Sequence, residues 1–356
     1  MSKLYRMQFF DSKSDKRKSK TCNELGRTIQ NLKSVALVAI GVTFAMCGAV
    51  AQAQQQTKLP KMGWLGTRPT TSTGGQETIR RMLRDLGYVE GKNIAFEYRF
   101  ADNRVDRLPA LADELVRLKV DVLVTPGINE ALAAKNATRT IPIVFMISAD
   151  PVAAGLVDSL ARPGGNITGF TDIGAVLAGK RLELLKETVP KLSRIAVLWD
   201  PQNPSSAQVW KESQLPAREL GLQLHSMEVS IADKYESAFK EAIKARSGAL
   251  ASTSNALANS NQKRIADLAT KNRLPAIYPR EDWVASGGLM SYGPDRADVY
   301  KRVVVFVDKL LKGAKPADLP VEQPTKFQFI INLKAAKQIG RTIPPHVLAR
   351  ADKVIR

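Results

Sequence analysis

Ser148 and Asp150 stand just past an uninterrupted apolar run, residues 143–147, and Pro151 follows at once. Such a run reads as a strand buried on both faces, and its abrupt polar end reads as a pocket edge. In open parallel sheets, ligands sit beyond the carboxyl ends of the strands, where short polar side chains and helix N-termini converge. The same arrangement recurs along the chain. Thr67, with Thr71 in the loop that follows, Thr125 with Gly127, Ser205, and Ser254 with Asn255 all follow apolar segments. Their hydroxyls and the amides at the next helix start can hold a carboxylate without a dedicated arginine, because the helix dipole favours an anion there. Asp150 can pair with a ligand cation or cap a helix that opens at Pro151. Local capping is the plainer role for Thr125, Ser148, Ser205 and Ser254 as well. Trp199, Tyr278, Trp283 and Tyr292 lie at strand ends or in connecting segments and serve either as core or as an aromatic wall, Tyr292 foremost.

Little in the chain could break or form a covalent bond. The only histidines are His225, inside a strand-like segment, and His346 near the C-terminal end. There is no Gly-x-Ser-x-Gly elbow, no phosphate-binding loop and no dinucleotide fingerprint. No Asp-rich calcium loop is present either, so neither a metal nor a cofactor is expected. Glu183 and Glu187 share one helix face with lysines and arginines, which is a solvated face and not an acid/base pair. The expectation is a protein that binds and does not catalyse.

The elements that must position these residues alternate between strand-like and helix-like patterns, which predicts a parallel sheet with crossover helices. Strands are predicted at 61–66, 93–100, 120–124, 143–147 and 167–170, with helices at 76–86, 105–118 and 129–137 between them. The pattern then begins again. Helices at 176–188, 205–220, 234–244 and 261–272 alternate with strands at 194–199, 222–229 and 249–252. Short strands at 275–278 and 288–291, a helix at 298–311, a strand at 326–332 and a helix at 333–339 remain. These are best used by crossing back between two sheets. The predicted class is therefore α/β, two Rossmann-like doubly wound lobes joined by a multi-strand hinge. Residues 54–169 with about 292–322 would form the first lobe, and 170–291 with about 323–356 the second.

The first 34 residues hold nine Lys or Arg against three acidic residues, and an uncharged stretch at 35–50 leads into Ala51-Gln52-Ala53. This is the architecture of a secretory signal peptide at 1–53, and the stretch is short for a membrane span. A periplasmic location is expected. Cys22 and Cys47 both fall inside that segment, so the mature chain would carry no thiol. Lipid attachment at Cys47 is not favoured, because Met46 stands where a small residue is expected. The formal charge of +19 is carried by basic residues interspersed with acidic ones, which suits a solvated basic surface and not nucleic acid. A monomer is expected.

Several motifs together resemble one family. They are Gly87-Tyr88-Val89-Glu90-Gly91-Lys92-Asn93, Ile141-Pro142-Ile143-Val144-Phe145, Asp150-Pro151, Pro163-Gly164-Gly165-Asn166-Ile167-Thr168-Gly169 and Gly287-Gly288-Leu289-Met290-Ser291-Tyr292-Gly293. The chain resembles substrate-binding proteins of ABC importers, in the group that includes tryptophan- and tyrosine-binding members, over essentially its whole mature length. The resemblance implies the type I periplasmic binding fold, with two lobes closing on a small ligand and then docking on a membrane permease. The implied ligand is amino acid-like, or an aromatic or carboxylate compound. Amino-acid-binding members carry Thr-Asp-Asn where this chain has Thr253-Ser254-Asn255, so an acidic residue is missing at that point. Two other functions suit the same scaffold, a sensory ligand-binding module for a membrane receptor and a hydrolase of a small substrate.

Overall fold

The computed structural model describes residues 59–68, 74–147 and 149–356. The expected signal segment lies outside the described residues, as do Thr71 and Ser148. Strands β1 (Lys61–Gly66), β2 (Ala95–Phe100), β3 (Val122–Thr125), β4 (Ile143–Ile147) and β5 (Ile167–Thr171) form one sheet in the order β2-β1-β3-β4-β5. Every pairing in it is parallel. β3 and β5 are buried along their whole length and β1 and β4 nearly so, while the edge strand β2 is half-buried throughout. This is why β1, β3 and β4 are written as continuous apolar runs and β2 as an alternating one.

Helices cover both faces. Helices α2 (Leu108–Arg117) and α3 (Ile128–Ala137) pack through Leu108, Leu111, Leu115 and Ala131 on Leu65, Leu123, Ile143 and Phe145. On the other face, Ile79 and Leu83 of α1 (Gly74–Asp85) join Met62, Trp64, Val122 and Val144. That second face is completed from far along the chain by Tyr300, Val303, Val304 and Val307.

The second sheet has the order β12-β11-β10-β9-β8-β6-β7. It is built from β6 (Arg194–Trp199), β7 (Gln223–Glu228), β8 (Ala249–Ser252), β9 (Ala276–Tyr278), β10 (Met290–Pro294), β11 (Phe327–Asn332) and β12 (Lys353–Ile355). Only β11 runs antiparallel to its neighbour β10, and its pairing with β12 is again parallel. Helix α4 (Ala178–Thr188) precedes its first strand, helices α5 (Pro204–Glu219), α6 (Tyr235–Lys244), α7 (Ala256–Ser260), α8 (Gln262–Lys271) and α9 (Glu281–Ala285) follow strands β6 to β9, and α11 (Leu333–Gln338) and α12 (Pro345–Leu348) lie near the end. The sequence pattern shows neither α7, α9 and α12, which are too short for a helical period to register, nor β12. The predicted strand at 288–291 is shifted to Met290–Pro294, because Gly287 turns back with φ +102° before it.

The chain passes between the sheets after β5, again between β10 and helix α10 (Arg296–Leu311), and again ahead of β11. The third passage runs beside the first. Thr171 N donates to Glu322 O and Glu322 N donates to Gly169 O, both at 3.0 Å. Gly169 cannot be replaced there, since its φ is +156° and an added Cβ would lie 2.3 Å from the Phe145 carbonyl oxygen. Arg181, on α4 and 4 % exposed, ties two passages together. Its Nε donates to the Tyr292 carbonyl at 2.8 Å and its Nη1 to the Gly174 carbonyl at 3.1 Å. Burial pushes this guanidinium down to about 10. Among the described residues, no helix is long and apolar enough to cross a membrane.

Candidate functional site

A cavity of about 350 Å³ lies between the lobes. This is within the range of small-molecule sites, roughly 300–1,000 Å³. The first lobe contributes strand ends and helix starts: Thr67 and Arg68 after β1, and Pro126 and Gly127 before α3. The second lobe contributes Ser205, Ser254, Asn255 and Arg280, and the passages between lobes contribute Asp172 and Arg296. Trp64, Phe100, Phe170 and Tyr300 supply an aromatic side. The lobes also touch at the rim, where Asp150 N donates to Gln208 Oε1 at 2.9 Å and Ser260 Oγ to Asn103 Oδ1 at 3.3 Å.

Of the residues predicted from sequence, Thr67, Gly127, Ser205, Ser254 and Asn255 line the cavity. Thr71 and Ser148 lie outside the described residues. Thr125, Asp150 and Tyr292 are not in its wall. The Thr125 hydroxyl is wholly buried inside the sheet and has no hydrogen-bond partner among the described residues. Asp150 is exposed, and its Oδ1 accepts from Val152 N at 2.8 Å and Ala153 N at 3.2 Å. It caps a turn, not a helix. Tyr292 stacks on Phe327 with ring centres 6.2 Å apart and packs into the second lobe's core. Tyr278 and Trp283 are fully buried and stack on each other at 4.6 Å, and Trp199 stacks on Trp210 at 5.4 Å. None of these aromatic residues lines the cavity.

Capping explains part of the wall. The Asn203 and Asn255 side chains accept from Ser206 N at 2.9 Å and Ala258 N at 2.8 Å, so they fix α5 and α7. Ser205 and Ser254 are not the caps. Ser254 Oγ accepts from Asn259 Nδ2 at 3.2 Å, and Asn259 Oδ1 in turn accepts from Trp283 Nε1. The start of α3 has no side-chain cap. Beside it the Glu130 carboxylate, 5 % exposed, accepts from the Thr67 amide at 2.9 Å. Burial pushes this carboxyl above its ordinary range, and the Thr67 hydroxyl and amide beside it oppose that shift.

The feature that sequence reasoning missed is charge. Arg68, Arg280 and Arg296 reach the cavity from the first lobe, the second lobe and a passage between them. Arg280 is paired with Asp282, its Nε donating to Oδ1 at 3.0 Å. Although burial works to raise Asp282, Arg280 and Arg296 hold it below the usual carboxylate range. Arg296 donates to the Tyr300 hydroxyl and lies over that ring, 4.9 Å from its centre. Arg68 has no such partner. Its Nε is buried and unbonded among the described residues, and so is the neighbouring Thr67 hydroxyl. Among the described residues, no group of three or more His, Cys, Asp or Glu is placed to hold a metal ion.

Two doubly wound lobes with a cavity between the carboxyl ends of their strands make a type I periplasmic binding fold. Residues 73–355 match the family model described as ABC transporter substrate binding protein. The chain belongs to that family, whose members bind substrates and do not transform them. It is 28 % identical over 259 residues to a tyrosine-binding protein of Clostridioides difficile, covering 73 % of this chain and 74 % of that one. A solved conserved domain protein of Vibrio cholerae matches with a TM-score of 0.78 and 28 % identity over 83 % of this chain and all of its own. The ABC domain of Streptococcus pneumoniae in complex with L-Trp matches with a TM-score of 0.76 and 25 % identity, over 83 % of this chain and 99 % of its own.

Proposed function

We propose that this protein is the extracytoplasmic solute-binding component of an ABC importer, a monomer that captures a small organic ligand between its lobes and presents the closed form to a permease. The observation that carries this reading is a cavity walled by both lobes in which polar groups remain uncommitted. The tyrosine-binding relative and the neighbour holding L-Trp support a ligand of amino-acid size, an aromatic or carboxylate compound. A ligand that touches both lobes stabilises the closed arrangement over the open one, and only that difference in affinity can shift the balance. The passages between the lobes would then serve as the hinge.

Small-angle scattering on the purified mature protein, before and after removal of retained ligand by partial unfolding and dialysis, tests the closure. The ligand-loaded form is expected to be the more compact. An unchanged radius, with every contact confined to one lobe, refutes it. Import is tested separately, since deleting the gene should abolish uptake of the compound that native mass spectrometry finds on the protein. Trp64 is the one tryptophan in the cavity wall, so its emission should report the titration.

A further inference from the structure

The cavity's charges are unevenly satisfied, and the imbalance describes a ligand. Three carboxylates face the cavity besides the three guanidiniums, namely Glu130, Asp172 and Asp282. Each is already engaged. Glu130 accepts from the Thr67 amide at 2.9 Å, and Asp282 accepts from Arg280. Asp172 Oδ1 accepts from Gly174 N at 3.0 Å, and its charge is felt by Arg181 and Arg296. Among the described residues, each cavity carboxylate thus accepts from a partner, with which a ligand ammonium group would have to compete.

The cations are not balanced in the same way. Arg280 has Asp282, and Arg296 has the Tyr300 hydroxyl together with the field of Asp172. Arg68 has neither. It donates only, so its buried Nε needs an acceptor that no described residue supplies. The adjacent Thr67 hydroxyl is orphaned in the same wall. A buried guanidinium Nε without an acceptor is costly in an empty site, and the Thr67 hydroxyl beside it makes no close hydrogen bond although Glu130 feels it, so the two oxygens of one ligand carboxylate could serve both donors. Burial first, and then the facing Arg280 and Arg296, push the Arg68 guanidinium down from its ordinary value, while Asp282 offsets part of this.

We propose that the ligand is an aromatic acid with one carboxylate and no ammonium group. Its carboxylate is held by the Thr67 hydroxyl and Arg68 opposite Arg280 and Arg296, and its ring lies against Trp64, Phe100, Phe170 and Tyr300. One carboxylate is implied because, among the described residues, one of the three cavity arginines keeps a buried Nε with no hydrogen-bond acceptor. The same geometry makes the anion the trigger of closure. Arg68 and Arg280 belong to opposite lobes, so closing an empty cavity brings like charges together with only Asp282 to offset part of the repulsion, and a carboxylate between them removes the rest. This inference rests on the solute-binding reading above.

The test is calorimetry on the ligand-stripped mature protein with matched series of aryl and arylalkyl carboxylates, the corresponding amides and amines, and the aromatic amino acids. The tightest binder is expected to be a carboxylate without an amine, favoured over its isosteric amide. Arg68→Met should weaken that acid by roughly 10- to 100-fold and leave the amide within about threefold, so that selectivity collapses. Thr67→Val should weaken the acid by about tenfold, with unfolding midpoints of both variants near that of the parent. Because the readout is an acid-to-amide ratio within one variant, a poorly folded preparation cannot imitate it. Tightest binding by an amino acid or an amine, or unchanged acid selectivity in Arg68→Met, overturns the inference and leaves solute binding standing. Silence from the whole panel overturns it too. If the protein also purifies without any retained small molecule, the solute-binding reading falls with it.

Discussion

The contact between Gly127 and Glu130 gives a prediction in which one substitution changes sign with its background. An added Cβ at 127 would lie 2.4 Å from Glu130 Oε2 and 3.1 Å from its Cδ, and no atom outside Glu130 is as near. The backbone there is extended, at φ −158° and ψ 170°, so alanine itself is unstrained. Gly127→Ala therefore acts only by pushing the buried carboxylate off the Thr67 amide. The charged hydrogen bond lost is worth about 1.5–3 kcal/mol. Reduced freedom of the unfolded chain returns about 0.4–1 kcal/mol, so the net loss is roughly 1–2 kcal/mol. Once Glu130 is Ala, the clash is gone, and adding Gly127→Ala should stabilise by about 0.4–1 kcal/mol. The four proteins of this cycle, compared by urea unfolding at constant slope, give the coupling directly. Additive effects, or a stabilising Gly127→Ala in the parent, refute the claim that Glu130 is pinned. Because both residues line the cavity, the parent substitution should also weaken ligand binding, and that is measurable in the same preparations.

Three further outcomes follow from groups outside the cavity wall. Arg181→Met removes the donor shared by the Tyr292 and Gly174 carbonyls and should cost roughly 2–4 kcal/mol in urea unfolding; a loss below about 0.5 kcal/mol would show that water replaces it. Tyr278→Phe deletes a buried hydroxyl with no partner among the described residues while keeping the stack on Trp283 at 4.6 Å, so it should stabilise by about 1 kcal/mol, and a loss of stability in thermal unfolding would reveal an unseen bond. Burial and the hydrogen bond to Asp308, at 2.8 Å, push Tyr88 up to about 12 from 10.0. A raised folded value favours the protonated form, so this contribution is complete below pH 10.0 and is lost as pH rises toward about 12. Tyr88→Phe should flatten that alkaline limb of the stability profile, and an unchanged limb would contradict it.

What was legible in the sequence divides along one physical line. The bounds of β1, β4 and β6 follow from continuous apolar runs, because a strand covered on both faces admits nothing else. Helix α10 reads as a helix in the sequence, but its burial against Met62 and Trp64 depends on two chain passages that no local pattern encodes. Rules about strand ends place Thr67, Gly127, Ser205, Ser254 and Asn255 where the cavity wall lies, because short polar residues there are distinct from the apolar runs they follow. The same rule applied without regard to residue type would have found the charge as well. Arg68, Arg280 and Arg296 each stand two residues beyond the last residue of a strand, after Gly66, Tyr278 and Pro294. They were passed over because in a chain of charge +19 a single arginine carries no signal by itself. Position supplies the signal that composition hides. A cation held at the carboxyl end of a buried strand has less room to swing out to solvent than a helix-surface arginine; Arg280 is paired by the fold with Asp282, and Arg68 is the one proposed to take a ligand carboxylate instead.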